Sequence, residues 1–182
     1  HTLSAALHAA GAVILAVDLV MSDEARVVFC NIRPPGHHAE HDKAMGFCFF
    51  NNVAVGAAYA LEKYKLERVA IIDFDVHHGN GTQDIFQNNT QVLYCSGFEN
   101  PFYPGYDPDK DNEHILSVPL AAGTGGKAFR ERVQKAWFDK LDKFAPQLIF
   151  FSAGFDGHVE DPLANLGLVE ADYVWLTQQI AH

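Results

Sequence analysis

The sequence is poor in positive charge. Thirteen Lys and Arg stand against 23 Asp and Glu, giving a formal net charge of -10 over 182 residues. That balance argues against nucleic-acid binding through phosphates, which needs a basic patch. It suits a cationic partner, such as a lysine-bearing peptide or a polyamine. Cysteine is scarce too: Cys30, Cys48 and Cys95 are odd in number and lack CxxC spacing, so no disulfide framework is expected. Cys30 and Cys95 lie in strand-like runs and read as buried reduced thiols, which fits a reducing compartment: the cytoplasm, or the nucleus in a eukaryote. Linkers, repeats and low-complexity tracts are missing. Long apolar runs are also rare, the exception being Leu3 to Met21. His8 and Asp18 interrupt it and no basic segment precedes it, so it reads as an Ala-rich buried helix rather than a membrane span or signal peptide.

What is present is ordinary for one globular domain: 48% hydrophobic and 20% charged residues. Five short, continuously apolar runs predict strands, at Val27–Ile32, Val69–Ile72, Gln91–Cys95, near Ile115–Val118, and at Leu148–Phe151. Helical patterns fall between them: Asn51 or Asn52 to Tyr64, about Gln83 to Gln87, about Ala128 to Phe144, and Val169 to Ile180. Apolar strands alternating with helices predict an α/β fold, a parallel sheet covered by helices on both faces. Ligands of such sheets bind at the carboxyl ends of the strands.

The polar signals gather at those ends. Asp73-Phe74-Asp75-Val76-His77-His78-Gly79-Asn80-Gly81 follows the second strand. The period of two along a strand puts Asp75 and His77 on one side. With Asp156, in Ser152-Ala153-Gly154-Phe155-Asp156 after the fifth strand, they offer two carboxylates and one imidazole. That set suits a zinc ion at about 2.0–2.2 Å with one coordination position left open. Gly79 and Gly81 are expected to turn the backbone sharply away from these ligands. Arg33-Pro34-Pro35-Gly36-His37-His38 follows the first strand. One of its adjacent histidines could take a proton from a metal-activated water and return it to a leaving amine. Asp73 shares the strand side of Asp75 and could orient one imidazole or bind a monovalent cation. Asn80 could orient the other, and being neutral would raise its basicity less. Phe47 and Tyr103 lie in loops after strands, either simply packed or walling a narrow apolar tunnel. Ser96 follows the third strand. His1, His8, His41, His114, His158 and His182 lack such neighbours and read as surface or local packing.

The segments Arg33–Glu40 (RPPGHHAE), Gly46–Asn52 (GFCFFNN), Asp73–Gln83 (DFDVHHGNGTQ), Tyr103-Pro104-Gly105, Ser152–Asp156 (SAGFD) and Asp161-Pro162-Leu163 occur in the order found in one family. Through them the chain resembles the histone deacetylase and acetylpolyamine amidohydrolase family, in its class II-like and bacterial branch. The resemblance implies an arginase-like α/β fold and a zinc-dependent deacetylase site. It assigns Asp75, His77 and Asp156 to zinc, His37 and His38 to the paired catalytic histidines, and Phe47 and Tyr103 to the aromatics flanking an acyl-lysine tunnel. It assigns Asp73 and Ser96 to part of a structural potassium site completed largely by backbone carbonyls. Asn80 follows the class II pattern, whereas Phe98 stands where many relatives have His. Family members continue to a glycine-rich segment bearing a tyrosine that polarises the substrate carbonyl. The chain lacks that segment, so it is expected to be a single deacetylase-domain fragment, 1–182.

The implied reaction is hydrolysis of an acetyl or acyl amide on lysine or a polyamine, with His38 as general base and then acid and His37 assisting electrostatically. The competing reading is a non-catalytic metal-binding scaffold that recognises acyl-lysine or a partner protein, although a scaffold has no need of both the ligands and the histidine pair. A dinuclear manganese hydrolase is disfavoured by the single Asp-x-His and the want of further bridging carboxylates.

Overall fold

In a computed structural model describing residues 1–181, four apolar runs pair as parallel strands. They are β1 (Val69–Asp73), β2 (Val92–Glu99), β3 (Ile115–Leu120) and β4 (Leu148–Ser152), in the order β3-β2-β1-β4. The expected α/β architecture is present. β1 is central, and all five of its residues are buried. Its alternating side chains feed two cores, as the strand period dictates. Ala70 and Ile72 join Leu93, Cys95, Trp137 and Leu176 on one face. Val69 and Ile71 join Ala57, Ala60, Val92 and Tyr94 on the other. Burying each such aliphatic side chain contributes about 1.5–3 kcal/mol, so β1 is the best-anchored element.

Helices α1 (Thr2–Met21) and α2 (Asn52–Tyr64) cover the second face. Asn51 caps α2 by accepting from the Ala54 amide at 3.1 Å, so the start is set by an ordinary N-cap. α1 has mean hydropathy 2.0 over its most apolar window and is long and apolar enough to cross a membrane by length and composition. The reading of α1 as a buried helix needs revision. Ala6, Ala9, Val13 and Val17 form a buried stripe at helical spacing, while Leu3, Leu7 and Leu15 are exposed.

The other face carries α4 (Gly126–Val133), α5 (Asp139–Phe144) and α6 (Glu170–Ile180), while α3 (Asn80–Phe86) follows β1. The single helix expected from 128 to 144 is α4 and α5 joined by a π-helical turn, Gln134–Phe138. The extra residue in that turn accompanies full burial of Trp137, whose indole N–H donates to the Leu116 carbonyl at 3.2 Å. Among the cysteines, Cys48 and Cys95 are buried and Cys30 only half-buried, all as free thiols.

The predicted first strand is the main departure. Val27–Ile32 carries no regular secondary structure, though its side chains alternate: Val28, Cys30 and Ile32 are half-buried, Val27 and Phe29 exposed. Yet it joins no sheet among the described residues. β-branched residues favour the extended backbone, but a strand needs a neighbour to complete its hydrogen bonds. The paired histidines therefore reach the sheet edge on a loop rather than from a strand end. Of the remaining histidines, His41 pairs with Asp84 at 2.8 Å, His8 contacts the Ser4 carbonyl, and His182 lies outside the described residues.

Leu176 is fully buried where α6 meets the sheet. Leu176→Ala is expected to cost about 2–5 kcal/mol, read as a lower urea midpoint at unchanged slope. A cost below about 1 kcal/mol would mean that α6 is not docked as described.

Candidate metal centre

Beyond Asp73 the chain keeps the alternation of β1 for four residues. Phe74 and Val76 point into the apolar core, leaving Asp75 and His77 on the opposite, half-buried side. The turn after β4 brings Asp156 alongside, its Oδ1 accepting from the Val76 amide at 3.0 Å. One ligand atom from each of Asp75, His77 and Asp156 lies within 4.8 Å of the other two. His77 Nδ1 is 2.9 Å from Asp75 Oδ1 and 3.0 Å from Asp156 Oδ2. A tetrahedral zinc ion keeps its ligand atoms about 3.3 Å apart, so the three donors are close to ligating positions. Burial alone would lower the His77 pKa, but the Asp156 and Asp75 carboxylates raise it to about 10. Two carboxylates and an imidazole this close together are a donor set that fits a divalent cation.

Gly154 makes this approach possible. A Cβ there would overlap the Asp75 carboxylate. Gly79 and Gly81, expected to serve sharp turns, are absent from the positive-φ residues. Their reason is crowding: added Cβ atoms would strike Tyr94 Oη and the Ala39 carbonyl.

Three contacts from neighbouring helices hold the paired histidines beside the triad. The first-turn amides of Gly81 and Thr82 donate to the His37 carbonyl at 3.0 and 3.2 Å, and Asn51 Nδ2 donates to the Ala39 carbonyl at 3.2 Å. His37 Nδ1 then meets Asp73 Oδ2 at 3.0 Å, and His38 Nδ1 meets Asn80 Oδ1 at 2.8 Å. Asp73 is fully buried and also accepts from Tyr94 Oη at 3.0 Å and the Asp75 amide at 3.2 Å. The different partners split the pair. Burial opposes charge on His37, but Asp73 and Asp75 raise its pKa to about 9. Burial and the neighbouring His37 lower that of His38 to about 4. Next to each other, with ring centroids 4.0 Å apart, stand a charge-holding and a neutral imidazole.

Tyr103 lies edge-on to His38 and His77, with ring centroids 5.2 and 6.1 Å away. Phe47 is 89% exposed; its neighbour Gly46, at φ +56, has no room for a Cβ against the His38 ring. Ser96 pairs with Asp73 across β1 and β2, and its buried hydroxyl has no hydrogen-bond partner among the described residues. Three contributors escaped the sequence reading. Phe102 stacks on His77 at 5.1 Å, Tyr94 binds Asp73, and Glu40 accepts from Asn80 Nδ2 at 2.8 Å. Phe102 adjoins Tyr103, which was a usable signal; Tyr94 sits in an apolar strand and gave none.

Residues 1–182 match the histone deacetylase domain family. The chain belongs to that family. It is 40% identical over 178 residues to a histone deacetylase-like amidohydrolase of Pseudomonas aeruginosa, covering 94% of this chain and 47% of that protein. It is also 40% identical over 174 residues to a probable deacetylase of Archaeoglobus fulgidus, covering 92% and 48%. The solved HD domain of HDA15 superposes with a TM-score of 0.92 at 37% identity, covering 97% of this chain and 54% of that one. This histone deacetylase-family chain thus spans about half the length of each of these relatives, and its fold is that of the HDA15 HD domain.

Gly154→Ala changes no ligand atom but displaces Asp75. It is expected to weaken divalent-metal affinity by about 10–100-fold, the usual cost of disturbing a ligand's support. Metal titration monitored by calorimetry would show it, and wild-type affinity would disprove the crowding argument.

Proposed function

We propose that this histone deacetylase-family chain carries the zinc and acid–base half of an amidohydrolase that removes acetyl or acyl groups from lysine side chains or polyamines. One observation carries the reading: two carboxylates and an imidazole converge beside a histidine pair, of which one ring meets a carboxylate and the other an amide oxygen. Asp75, His77 and Asp156 would hold the zinc, which when bound polarises an amide carbonyl and makes water acidic.

The protein's own residues do the rest. His38, kept neutral by burial and by the cationic neighbour, accepts the proton of the attacking water. It then passes that proton to the amide nitrogen as the C–N bond breaks, so that the nitrogen leaves as an amine rather than as an anion. His37, held charged by Asp73, places a fixed positive charge where negative charge develops. Tyr103, beside His38, and the exposed Phe47 would be the aromatic walls that sheathe the methylenes of a lysine or polyamine chain. Ser96 and Asp73 would supply oxygen donors to a structural potassium ion, a role that would give the buried Ser96 hydroxyl the partner it lacks among the described residues. Three free cysteines support a reducing compartment, the cytoplasm or nucleus. A pure scaffold would have no use for the split between His37 and His38.

His38→Ala in the intact protein is expected to lower kcat by roughly 10²–10⁴-fold on an acetyl-lysine peptide or acetylated polyamine, with bound zinc near the wild-type amount. Wild-type turnover at matched zinc content would remove His38 as the base and make His37 the candidate. Comparing the two substrates in the same assay decides between lysine and polyamine.

A further inference from the structure

We propose that Glu40 is a positioning residue that locks the orientation of the Asn80 side chain and thereby selects which nitrogen of His38 carries the proton. The proposal rests on the acid–base role given to His38 above. The two ends of an asparagine amide are nearly equal in shape, so its orientation is set by what surrounds it. Around Asn80 Nδ2 stand three acceptors: Glu40 Oε1 at 2.8 Å, Met45 Sδ at 3.2 Å and the His38 carbonyl at 3.5 Å. Glu40 is the strong one, since it carries charge and the other two are a thioether and a carbonyl at the limit of hydrogen-bond length. Turning the amide over would press its oxygen against the Glu40 carboxylate. Oδ1 therefore faces His38 Nδ1 at 2.8 Å.

An amide oxygen only accepts, so the hydrogen in that contact belongs to His38. In neutral His38 the proton is on Nδ1, and the lone pair is on Nε2. Nε2 lies at the far side of the ring from Asn80, leaving it as the basic nitrogen. Asn80 by itself does not make this choice: a reversed amide would donate to Nδ1 and put the proton on Nε2, where a base cannot accept another. The choice comes from Glu40, two residues beyond His38 and fixed by a turn in which its amide donates to the Lys43 carbonyl at 3.0 Å. His37 needs no such device, because its partner Asp73 is a carboxylate that accepts with either oxygen.

The test is long-range 1H–15N NMR of the imidazoles at neutral pH in the zinc-loaded intact protein, with the His38 signals assigned by their loss in His38→Ala. Wild type is expected to show protonated Nδ1 and a bare Nε2. Glu40→Gln, which keeps an acceptor oxygen, should retain that pattern. Glu40→Leu should give a mixture of tautomers, and Glu40→Lys, which replaces the acceptor by a donor, should move the proton to Nε2. In the same series kcat should fall about tenfold in Glu40→Leu, part of the 10²–10⁴ that acid–base catalysis supplies, with KM within about twofold and most of the loss restored in Glu40→Gln. A wild-type nitrogen pattern in both Glu40→Leu and Glu40→Lys would overturn the proposal, as would protonated Nε2 in the wild type. The Lys variant also decides the matter if the Leu variant does not fold. A tautomer switch in a protein that hydrolyses no acyl amide would overturn the deacetylase reading and leave the role of Glu40 standing.

Discussion

The buried carboxylate of Asp73 is the constraint from which the site is hung. It ends the central strand, is inaccessible to water, and is met by His37 Nδ1, Tyr94 Oη and the Asp75 amide. A buried charge left unpaired costs several kcal/mol, so its partners are fixed with it. Each comes from a different part of the chain. His37 brings the loop after Val27–Ile32, Tyr94 the neighbouring strand, and the Asp75 amide the turn that carries two of the three candidate ligands. Satisfying one carboxylate thus assembles the histidine pair and the metal triad around a common point. The parallel register adds the rest: Asp73 lies opposite Ser96 on β2 and Ser152 on β4. Four residues after Ser152 the chain delivers Asp156.

The same carboxylate sets the two histidines apart. Both are buried and would be neutral on burial alone. A charged partner reverses that for His37, while His38 faces an amide and stands beside a positive ring. Two imidazoles in contact cannot cheaply both be charged, so holding one charged favours a neutral neighbour. Acid–base assignments are found where environments push two titratable groups apart. Here the push comes from Asp against Asn, a difference of one oxygen for one nitrogen.

Much of this was legible in the sequence, and for identifiable reasons. Four strands, the helix capped at Asn51 and the shared side of Asp75 and His77 follow from local periodicity and capping, which operate within a few residues. The convergence of Asp156 followed from strand ends sharing one edge. Val27–Ile32 failed because pairing is a property of two segments, and the local signal reports only one. Tyr94 was hidden because a tyrosine in an apolar strand looks like core, and only the approach of Asp73 gives its hydroxyl a task. Glu40 was hidden by the 40 residues that separate it from Asn80 in the chain. The glycines show a subtler gap: the sequence marks where a side chain is missing, but Gly79, Gly81 and Gly154 lack one because of neighbours from distant elements.

The chemistry proposed for His38 needs that ring held more rigidly than loops usually allow, since a misplacement of about 1 Å can cost 10²-fold in rate. The histidine pair lies on a loop, but that loop is gripped at both ends by helix starts. His37 O is held by the first-turn amides of α3, which have no partners inside the helix. Ala39 O is held by Asn51, the cap of α2, which also donates to Thr82 of α3 at 3.1 Å. Asn80 is the first residue of α3 rather than a loop residue as expected, so its backbone moves with a packed helix. What remains free is the rotation of its amide, and that single degree of freedom is the one Glu40 removes. The loop thus acquires the precision of the elements on either side of it, and the sheet edge can present mobile-looking sequence as a fixed frame for the histidine pair.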